Sequence, residues 1–360
     1  MSKRKIHSFY FLIFVSLLLV FPLQIQNTLS VQGSKEIASS CTIFTAAIGD
    51  KVFFGNNEDY KLNNAYRWYV PAQNITTTYY GDQEIYGAVF VGFANNNDTD
   101  VDNWEQGGMN EYGLCFDANG LPDILMNHNL TATYPYTSHA LAQILWDCRN
   151  VSEVIEWYNT HSWSGYFGGN IHYADSNGDA VVVSVNATGH WEFTLKDSSF
   201  LVSTNFNLVN TSHGHYPCSR YDTATQMLGE ITSEEDLIIS RCAEVLYAVH
   251  QEGMYGTKYS NVFDPVNLDC YFLSGEEFSE YTKFNLLDKL SETDSYEEKN
   301  RFMGVYGQDQ DFLVKFEKID IQFETETESE TDESEVSSLL IILGLASYVS
   351  LVSFMKRRRK

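Results

Sequence analysis

Two long uncharged apolar runs bracket this chain and confine a globular fold to the residues between them. The first run, residues 9–21, follows the basic residues 3–5, which is the order of a secretory signal. The second run, residues 336–355, is long enough to cross a bilayer and precedes the basic residues 356–360. We therefore expect a signal peptide with a short propeptide over residues 1–40, a C-terminal transmembrane helix, and a basic cytoplasmic tail.

The segment before the C-terminal run, residues 324–335, alternates Glu, Thr, Ser and Asp and predicts an acidic disordered stalk. We expect residues 41–323 to form one domain outside the cell, anchored in the plasma membrane by the helix. Glycosylation sequons support an extracellular surface. They lie at Asn74, Asn97, Asn129, Asn150, Asn186 and Asn210. The formal net charge of −25 repels phosphate backbones and argues against a nucleic-acid partner.

Short β-rich runs separated by glycine and polar turns dominate the middle of the chain. Strands are predicted over residues 42–47, 51–54, 76–80, 86–93, 171–174, 180–185 and 200–204. Helical spacing of apolar residues is found over residues 138–148, 152–158, 220–228 and 234–249, the last with Ser233 as its cap. This mixture predicts a layered α+β domain.

Cys41 is the candidate nucleophile. It follows the small residues Ala38, Ser39 and Ser40, which processing enzymes accept, and it opens a β-type hairpin that ends near Asp59. If the chain is cut before Cys41, the thiol and a free α-amino group belong to one residue, and an amine with a pKa of about 8 is a usable base at neutral pH. A hairpin can return Asp59 beside Cys41, where its carboxylate would orient the amine.

The sequence leaves other readings of its cysteines and histidines open. The six cysteines form no CxxC pair, so Cys41 could instead be half of a disulfide in an exported protein, or carry a lipid. A papain-type Cys–His dyad has no local signature here. The His213 and His215 pair lacks a third ligand nearby and reads as solvent-facing. No metal and no organic cofactor is implied.

Several short motifs recur in the order known from one enzyme group. They are residues 41–42 (CT), 55–59 (GNNED), 108–114 (GMNEYGL), 170–175 (NIHYAD), 202–205 (VSTN) and 219–221 (SRY). This set resembles the N-terminal-nucleophile (Ntn) cysteine hydrolases of the choloylglycine hydrolase, penicillin V acylase and acyl-CoA:isopenicillin N acyltransferase group. The resemblance implies a four-layer αββα sandwich that cleaves a linear, non-peptide carbon–nitrogen amide bond through a thioester.

The resemblance also implies roles for individual residues. Cys41 would be the nucleophile, Asp59 the carboxylate that holds its amine, and Asn205 a donor to the oxyanion. Arg220 would support the charge network around the cysteine. Asn119 is our choice for a second polar donor, although it lies one position from the family's pattern.

One departure concerns the cation beside the nucleophile. Asn56 stands where the family carries arginine in a GRNxD pattern, and Arg67 would substitute only if its strand runs close by. The NED tripeptide also resembles that of secreted dipeptidases with the same N-terminal cysteine. Asn110, in the GMNEYGL motif, is expected to shape a turn rather than to take part in catalysis.

We therefore predict an exported, membrane-anchored amidohydrolase whose substrate is a small acyl amide or a short peptide. A secreted dipeptidase is the alternative within the same fold. The alternative from another class is a non-catalytic surface adhesion module, because the chain is rich in aromatic residues, with 23 Tyr and 23 Phe.

Overall fold

The computed structural model describes residues 41–61, 64–77, 81–94, 103–127, 133–134, 140–163, 165–292, 296–299 and 312–319. The predicted signal segment, stalk, membrane helix and tail lie outside these residues. The helices among the described residues are six to eleven residues long, and none of them is long and apolar enough to cross a membrane.

Strands make up most of the described chain. Their bounds are β1 (Thr42–Ile48), β2 (Lys51–Asp59), β3 (Ala65–Val70), β4 (Gln73–Thr77), β5 (Gly81–Ile85), β6 (Ala88–Ala94), β7 (Asn103–Asn110), β8 (Cys115–Leu125), β9 (Thr133–Tyr134), β10 (Ser162–Trp163), β11 (Tyr166–Ala174), β12 (Ala180–Val185), β13 (Trp191–Leu195), β14 (Phe200–Ser203), β15 (Thr257–Asp264), β16 (Asp269–Ser274), β17 (Glu280–Asn285), β18 (Glu297–Lys299) and β19 (Phe312–Lys318). The helices are α1 (Ala140–Asp147), α2 (Val151–Thr160), α3 (Ser219–Gly229), α4 (Ile239–Ala248) and α5 (Leu286–Ser291). The predicted α+β class is confirmed.

Two large sheets contain most of the strands. The six-stranded sheet has the order β14-β1-β2-β15-β16-β17, and the nine-stranded sheet has the order β13-β12-β11-β8-β7-β6-β3-β19-β18. Neighbouring strands within both sheets are antiparallel. Two small ribbons, β4-β5 and the parallel pair β9-β10, complete the described strands.

Three apolar clusters define the layers. In β1, Ile43 packs between the two sheets while Phe44 packs beneath α3 and α4, because successive side chains of a strand point to opposite faces. The third cluster joins the outer face of the nine-stranded sheet, through residues such as Phe90, to Leu145 of α1 and Val154 of α2. The order is therefore helix, sheet, sheet, helix, and the central strands of both sheets are buried on both faces, while the edge strand β17 is largely exposed.

The helix predicted over residues 234–249 is shorter than expected. It begins at Ile239, and Ser233 instead caps a turn, in which its hydroxyl accepts from the Asp236 amide at 3.2 Å. The Lys51 ammonium donates to the carbonyl oxygens of Glu234 and Leu237, at 2.8 and 3.2 Å. These carbonyls bind a side chain rather than helical amides, so the helix starts later.

A tight turn sets the register of the first hairpin. Gly49 has φ of 62° in the two-residue turn between β1 and β2, which is the left-handed conformation that such hairpins require at this position. Ile48 then pairs with Lys51, and at the far end Thr42 pairs with Asn57. Continuing this register by one residue places Cys41 opposite Glu58.

Candidate active site

Cys41 and Asp59 meet at the open end of the first hairpin, as the sequence predicts. The Cys41 Sγ lies 3.9 Å from the backbone oxygen of Asp59, and both residues are buried. The neighbouring strand β15 fixes the Asp59 side chain. Thr257 of β15 pairs with Asp59, and its hydroxyl donates a hydrogen bond to Asp59 Oδ1. The second oxygen, Oδ2, is buried without a hydrogen-bond partner among the described residues and lies 3.9 Å from Arg220 Nη1.

The Arg220 guanidinium connects the parts of this site. It extends from the first turn of α3 and donates through Nη1 to the Cys41 carbonyl oxygen at 2.9 Å and to the Thr42 hydroxyl at 2.8 Å. Its Nη2 donates to Asn205 Oδ1 at 3.0 Å. One planar cation thus joins the nucleophile's backbone, the carboxylate of Asp59 and the amide of Asn205.

Two asparagine side chains join this hydrogen-bonded group, one directly at the Cys41 carbonyl and the other through Arg220. Asn119 of β8 donates through Nδ2 to the Cys41 carbonyl oxygen at 3.1 Å. Asn205 follows β14, and its Nδ2 donates to the Gly120 oxygen at 3.0 Å while its Oδ1 accepts from Arg220. The structure therefore brings Cys41, Asp59, Asn205, Arg220 and Asn119 together.

Asn56 and Arg67 occupy different surroundings. Asn56 is fully buried on the inner face of β2 beside Glu58, whose pKa its side chain acts to lower. Arg67 pairs with Glu317 at 2.9 Å and lies over the rings of Phe272 and Phe284. Because these contacts occupy its guanidinium, Arg67 does not replace the arginine that is missing at position 56.

Burial dominates the electrostatics around the nucleophile. It raises the pKa of the Cys41 thiol, and the carboxylates of Glu58, Asp59 and Asp117 raise it further. Burial also raises the pKa of Asp59 to about 7, although Thr257 and Arg220 oppose the shift. A protonated thiol at neutral pH needs a base, and the chain offers one if Cys41 becomes the first residue.

A buried neutral histidine, His172, links strands of the two sheets. His172 of β11 is fully buried, and its ring nitrogens lie 2.9 Å from the Thr45 hydroxyl and 3.0 Å from the Ser203 hydroxyl. Burial lowers its pKa to about 3, so the ring is uncharged at neutral pH. His172 therefore joins the two sheets through hydrogen bonds and supplies no charge.

The sequence did not single out Thr257, or the pair of acids formed by Glu58 and Asp117. Glu58 is part of the NED tripeptide, but the sequence alone does not show that its side chain and that of Asp59 point to opposite faces of β2. Asp117 and Thr257 carry no local signal. All six cysteines are buried free thiols, so Cys41 is not part of a disulfide in this structure.

A model of the acyl-coenzyme A:6-aminopenicillanic acid acyl-transferase family matches residues 47–238. The chain belongs to this family. The resemblance to the Ntn cysteine hydrolases is thereby confirmed, and the matched residues include Asp59, Asn119, Asn205 and Arg220. No curated protein sequence matches the chain at a significant level.

Solved structures of two hydrolases resemble this member of the acyl-transferase family. Two variants of the conjugated bile acid hydrolase from Clostridium perfringens superpose with TM-scores of 0.52 and 0.56 at 11% and 12% identity. They cover 69% and 80% of this chain and 93% and 100% of their own. Penicillin V acylase from Agrobacterium tumefaciens has a TM-score of 0.50 at 16% identity, covering 65% of this chain and 83% of its own. At these identities the likeness establishes the fold.

Proposed function

We propose that this protein is an exported, membrane-anchored amidohydrolase that cleaves a linear N-acyl amide through a thioester on Cys41. The observation that carries the proposal is the meeting of Cys41, Asp59 and Asn205 around the Arg220 guanidinium. Export and anchoring rest on the apolar runs at residues 9–21 and 336–355. The amide substrate accords with the bile acid hydrolase and penicillin V acylase that share the fold.

Acylation begins once the bond between Ser40 and Cys41 has been cut. The free α-amine accepts the thiol proton, and the sulfur attacks the amide carbonyl carbon. The negative charge that develops on the carbonyl oxygen is stabilised by amide donors, for which Asn205 and Asn119 are our candidates. The ammonium then returns the proton to the leaving nitrogen, so the amine departs neutral and a thioester remains.

Deacylation repeats these steps with water as the nucleophile. The same amine removes a proton from water, and the hydroxide adds to the thioester carbonyl carbon. The carbon–sulfur bond then breaks, the carboxylic acid leaves, and the ammonium returns its proton to the Cys41 sulfur. Among the described residues, Asp59 Oδ2 has no hydrogen-bond partner, and it would receive the α-ammonium that forms in each half-reaction. Arg220 acts here as a positioning residue, because it fixes the Cys41 carbonyl and the Asn205 amide.

A dipeptidase is the second candidate within the same chemistry. It is favoured by Glu58, the acidic residue of the NED tripeptide, which lies opposite Cys41 in the extended hairpin register. The adhesion module has no comparable support, since a surface-binding domain does not require a buried cysteine whose carbonyl oxygen accepts from both Asn119 and Arg220.

Cleavage of Cys41 from its upstream segment and loss of activity in Cys41→Ser test the proposal. N-terminal sequencing of the exported chain should find Cys41 as the first residue, and iodoacetamide should alkylate it. In Cys41→Ser the fold is kept, but turnover of fluorogenic N-acyl amides should fall by orders of magnitude, because the alcohol is the weaker nucleophile beside the same base. Cys115→Ser, in a buried strand away from this chemistry, is the matched control and should retain turnover. An intact upstream segment in active protein would contradict the proposal.

A further inference from the structure

Two acidic side chains face the nucleophile from opposite sheets. Glu58 of β2 lies between Cys41 and Tyr259 on the inner face of the six-stranded sheet. Tyr259 of β15 pairs with Glu58 on one side, and the hairpin register places Cys41 on the other side. Directly opposed residues have β-carbons about 5 Å apart. Asp117, in β8 of the other sheet, also acts on the Cys41 sulfur and on Glu58 through its charge.

Most of the oxygens of these two carboxyl groups lack a well-formed hydrogen bond. Glu58 and Asp117 are fully buried. Among the described residues, no group donates to either Glu58 oxygen with good hydrogen-bond geometry, although the neighbouring side chains of Cys41 and Asn56 act to lower the pKa of Glu58 against the effect of burial. Asp117 Oδ1 accepts from the Ala118 amide at 2.7 Å, and Oδ2 has no partner among the described residues. A buried carboxyl oxygen without a partner destabilises the fold, and a ligand that donates to it would offset that cost.

The basic side chains near the site interact with Asp59. Arg220 lies 3.9 Å from Asp59, and Lys258 also acts on Asp59 through its charge. Within the described part of the chain, no basic side chain forms an ion pair with Glu58 or Asp117. The site therefore holds more acidic than basic groups. The GRNxD pattern of the family has an arginine here, and this chain has Asn56 instead.

The backbone next to this pair leaves room for the Asp117 carboxyl. Gly107 pairs with Asp117 across β7 and β8, and a β-carbon at position 107 would lie 2.2 Å from Asp117 Oδ2. A side chain at this position would therefore displace the carboxyl group. Glycine at 107 keeps the acid turned into the space between the sheets.

We propose that Glu58 and Asp117 bind a primary ammonium group of the substrate, so that the enzyme prefers acyl groups carrying a free amine one or two bonds from the scissile carbonyl. This inference rests on the proposed function and narrows it to aminoacyl amides, including dipeptides. The ammonium supplies the charge and the N–H donors that the two carboxyl groups lack. Because Glu58 lies directly opposite Cys41, an α-ammonium would reach it while the sulfur attacks the adjacent carbonyl carbon.

The test compares matched fluorogenic amides on protein expressed as the full chain and processed at Cys41. The substrates are the 7-amino-4-methylcoumarin amides of L-phenylalanine, of N-acetyl-L-phenylalanine and of 3-phenylpropanoic acid. We expect kcat/KM to be about 10- to 100-fold higher for the free amine than for the other two. Glu58→Gln should reduce that ratio at least about tenfold, and Asp117→Asn should reduce it as well. Glu244→Gln, a surface control paired with Arg241, should leave the ratio unchanged.

Equal rates for the amine-bearing and amine-free substrates would overturn the inference and leave the amidohydrolase standing. A second measurement covers the case in which the protein cleaves none of these amides. Calorimetric titration measures binding of ketomethylene analogues, in which CH₂ replaces the scissile NH. Preferential binding of the amine-bearing analogue, lost in Glu58→Gln, would support the ammonium site even if no amide is cleaved. Absence of both preferences would overturn it.

Discussion

At the scale of the residue, the site combines a sulfur that is hard to ionise with carboxyl groups that are hard to charge. Burial raises the pKa values of Cys41, Glu58 and Asp117, and Asp59 titrates near 7. Arg220 lies 3.9 Å from Asp59. The terminal amine that would appear on cleavage before Cys41 would supply the base that the protonated thiol needs.

Glu58→Gln should stabilise the full-length chain at high pH. The folded-state pKa of Glu58 is raised above the unfolded value of about 4.3, so its favourable contribution is complete below that pH and is lost as the pH rises. At pH 8 the free energy of unfolding of the variant should exceed that of the parent by about 1–3 kcal/mol. Near pH 4 the two values should be equal. Denaturant unfolding at the two pH values measures it.

Glu244→Gln is the control for this measurement, since Glu244 lies on the surface with 52% of its side chain exposed. Its effect should stay within about 0.5 kcal/mol at either pH. A parent chain that is more stable than Glu58→Gln at pH 8 would show that Glu58 is compensated by a cation.

At the scale of the element, the turn between β7 and β8 is tied to the end of α1 by a single side chain. Asn110 donates through Nδ2 to the carbonyl oxygens of Leu145 and Cys148, both at 2.8 Å. Its Oδ1 accepts from the amides of Tyr112 and Leu114, at 3.1 and 3.0 Å. This supports the structural role predicted for Asn110, because all its hydrogen bonds serve backbone groups.

Asn110→Ala should lower the free energy of unfolding by about 3 kcal/mol, because four buried backbone groups lose their partner. The kcat/KM of the folded fraction should be retained, since Asn110 does not contact the residues around Cys41. Chemical denaturation and amide hydrolysis measure the two effects. Asn186→Ala is the matched control, because Asn186 makes similar local bonds in an exposed turn, and its cost should be below about 1 kcal/mol. Loss of kcat/KM in folded Asn110→Ala would assign Asn110 to the chemistry.

At the scale of the whole molecule, the sheets are close-packed apolar layers except where polar side chains gather between them. The inter-sheet cluster is apolar around Ile43 and Phe263, whereas Glu58, Asp117 and His172 are fully buried polar side chains on strands of the two sheets. The chain as a whole carries a formal charge of −25. A cationic substrate is therefore attracted before it reaches the site.

Salt should weaken this attraction selectively. Between about 50 mM and about 500 mM NaCl, kcat/KM for the L-phenylalanine amide should fall several-fold, because the Debye length shortens from about 14 to about 4 Å. The neutral 3-phenylpropanoyl amide serves as the control and should change little. Steady-state kinetics across the salt series measures both. Equal salt dependence for the two substrates would argue against long-range steering.

The hairpin beginning at Cys41 and the α+β class could be predicted from the sequence, because short β-rich runs and turn residues act locally. The start of α4 could not, because Lys51, from a distant strand, binds the carbonyl oxygens that precede it. The contacts of Arg67 with Glu317 were equally hidden, since the two residues lie on strands far apart in the chain.

The sequence by itself pointed to the residues that we propose carry the chemistry: a cysteine after a segment predicted to be removed, a carboxylate at the end of its hairpin, and the ordered motifs that contain Asn205 and Arg220. Only the tertiary structure decided which groups share the nucleophile's surroundings. Strand register places Glu58 opposite Cys41, and sheet stacking brings Asp117 to the same space. The physical reason is that side-chain chemistry is local, whereas charge balance in a buried site is the sum over strands that meet only in the folded protein.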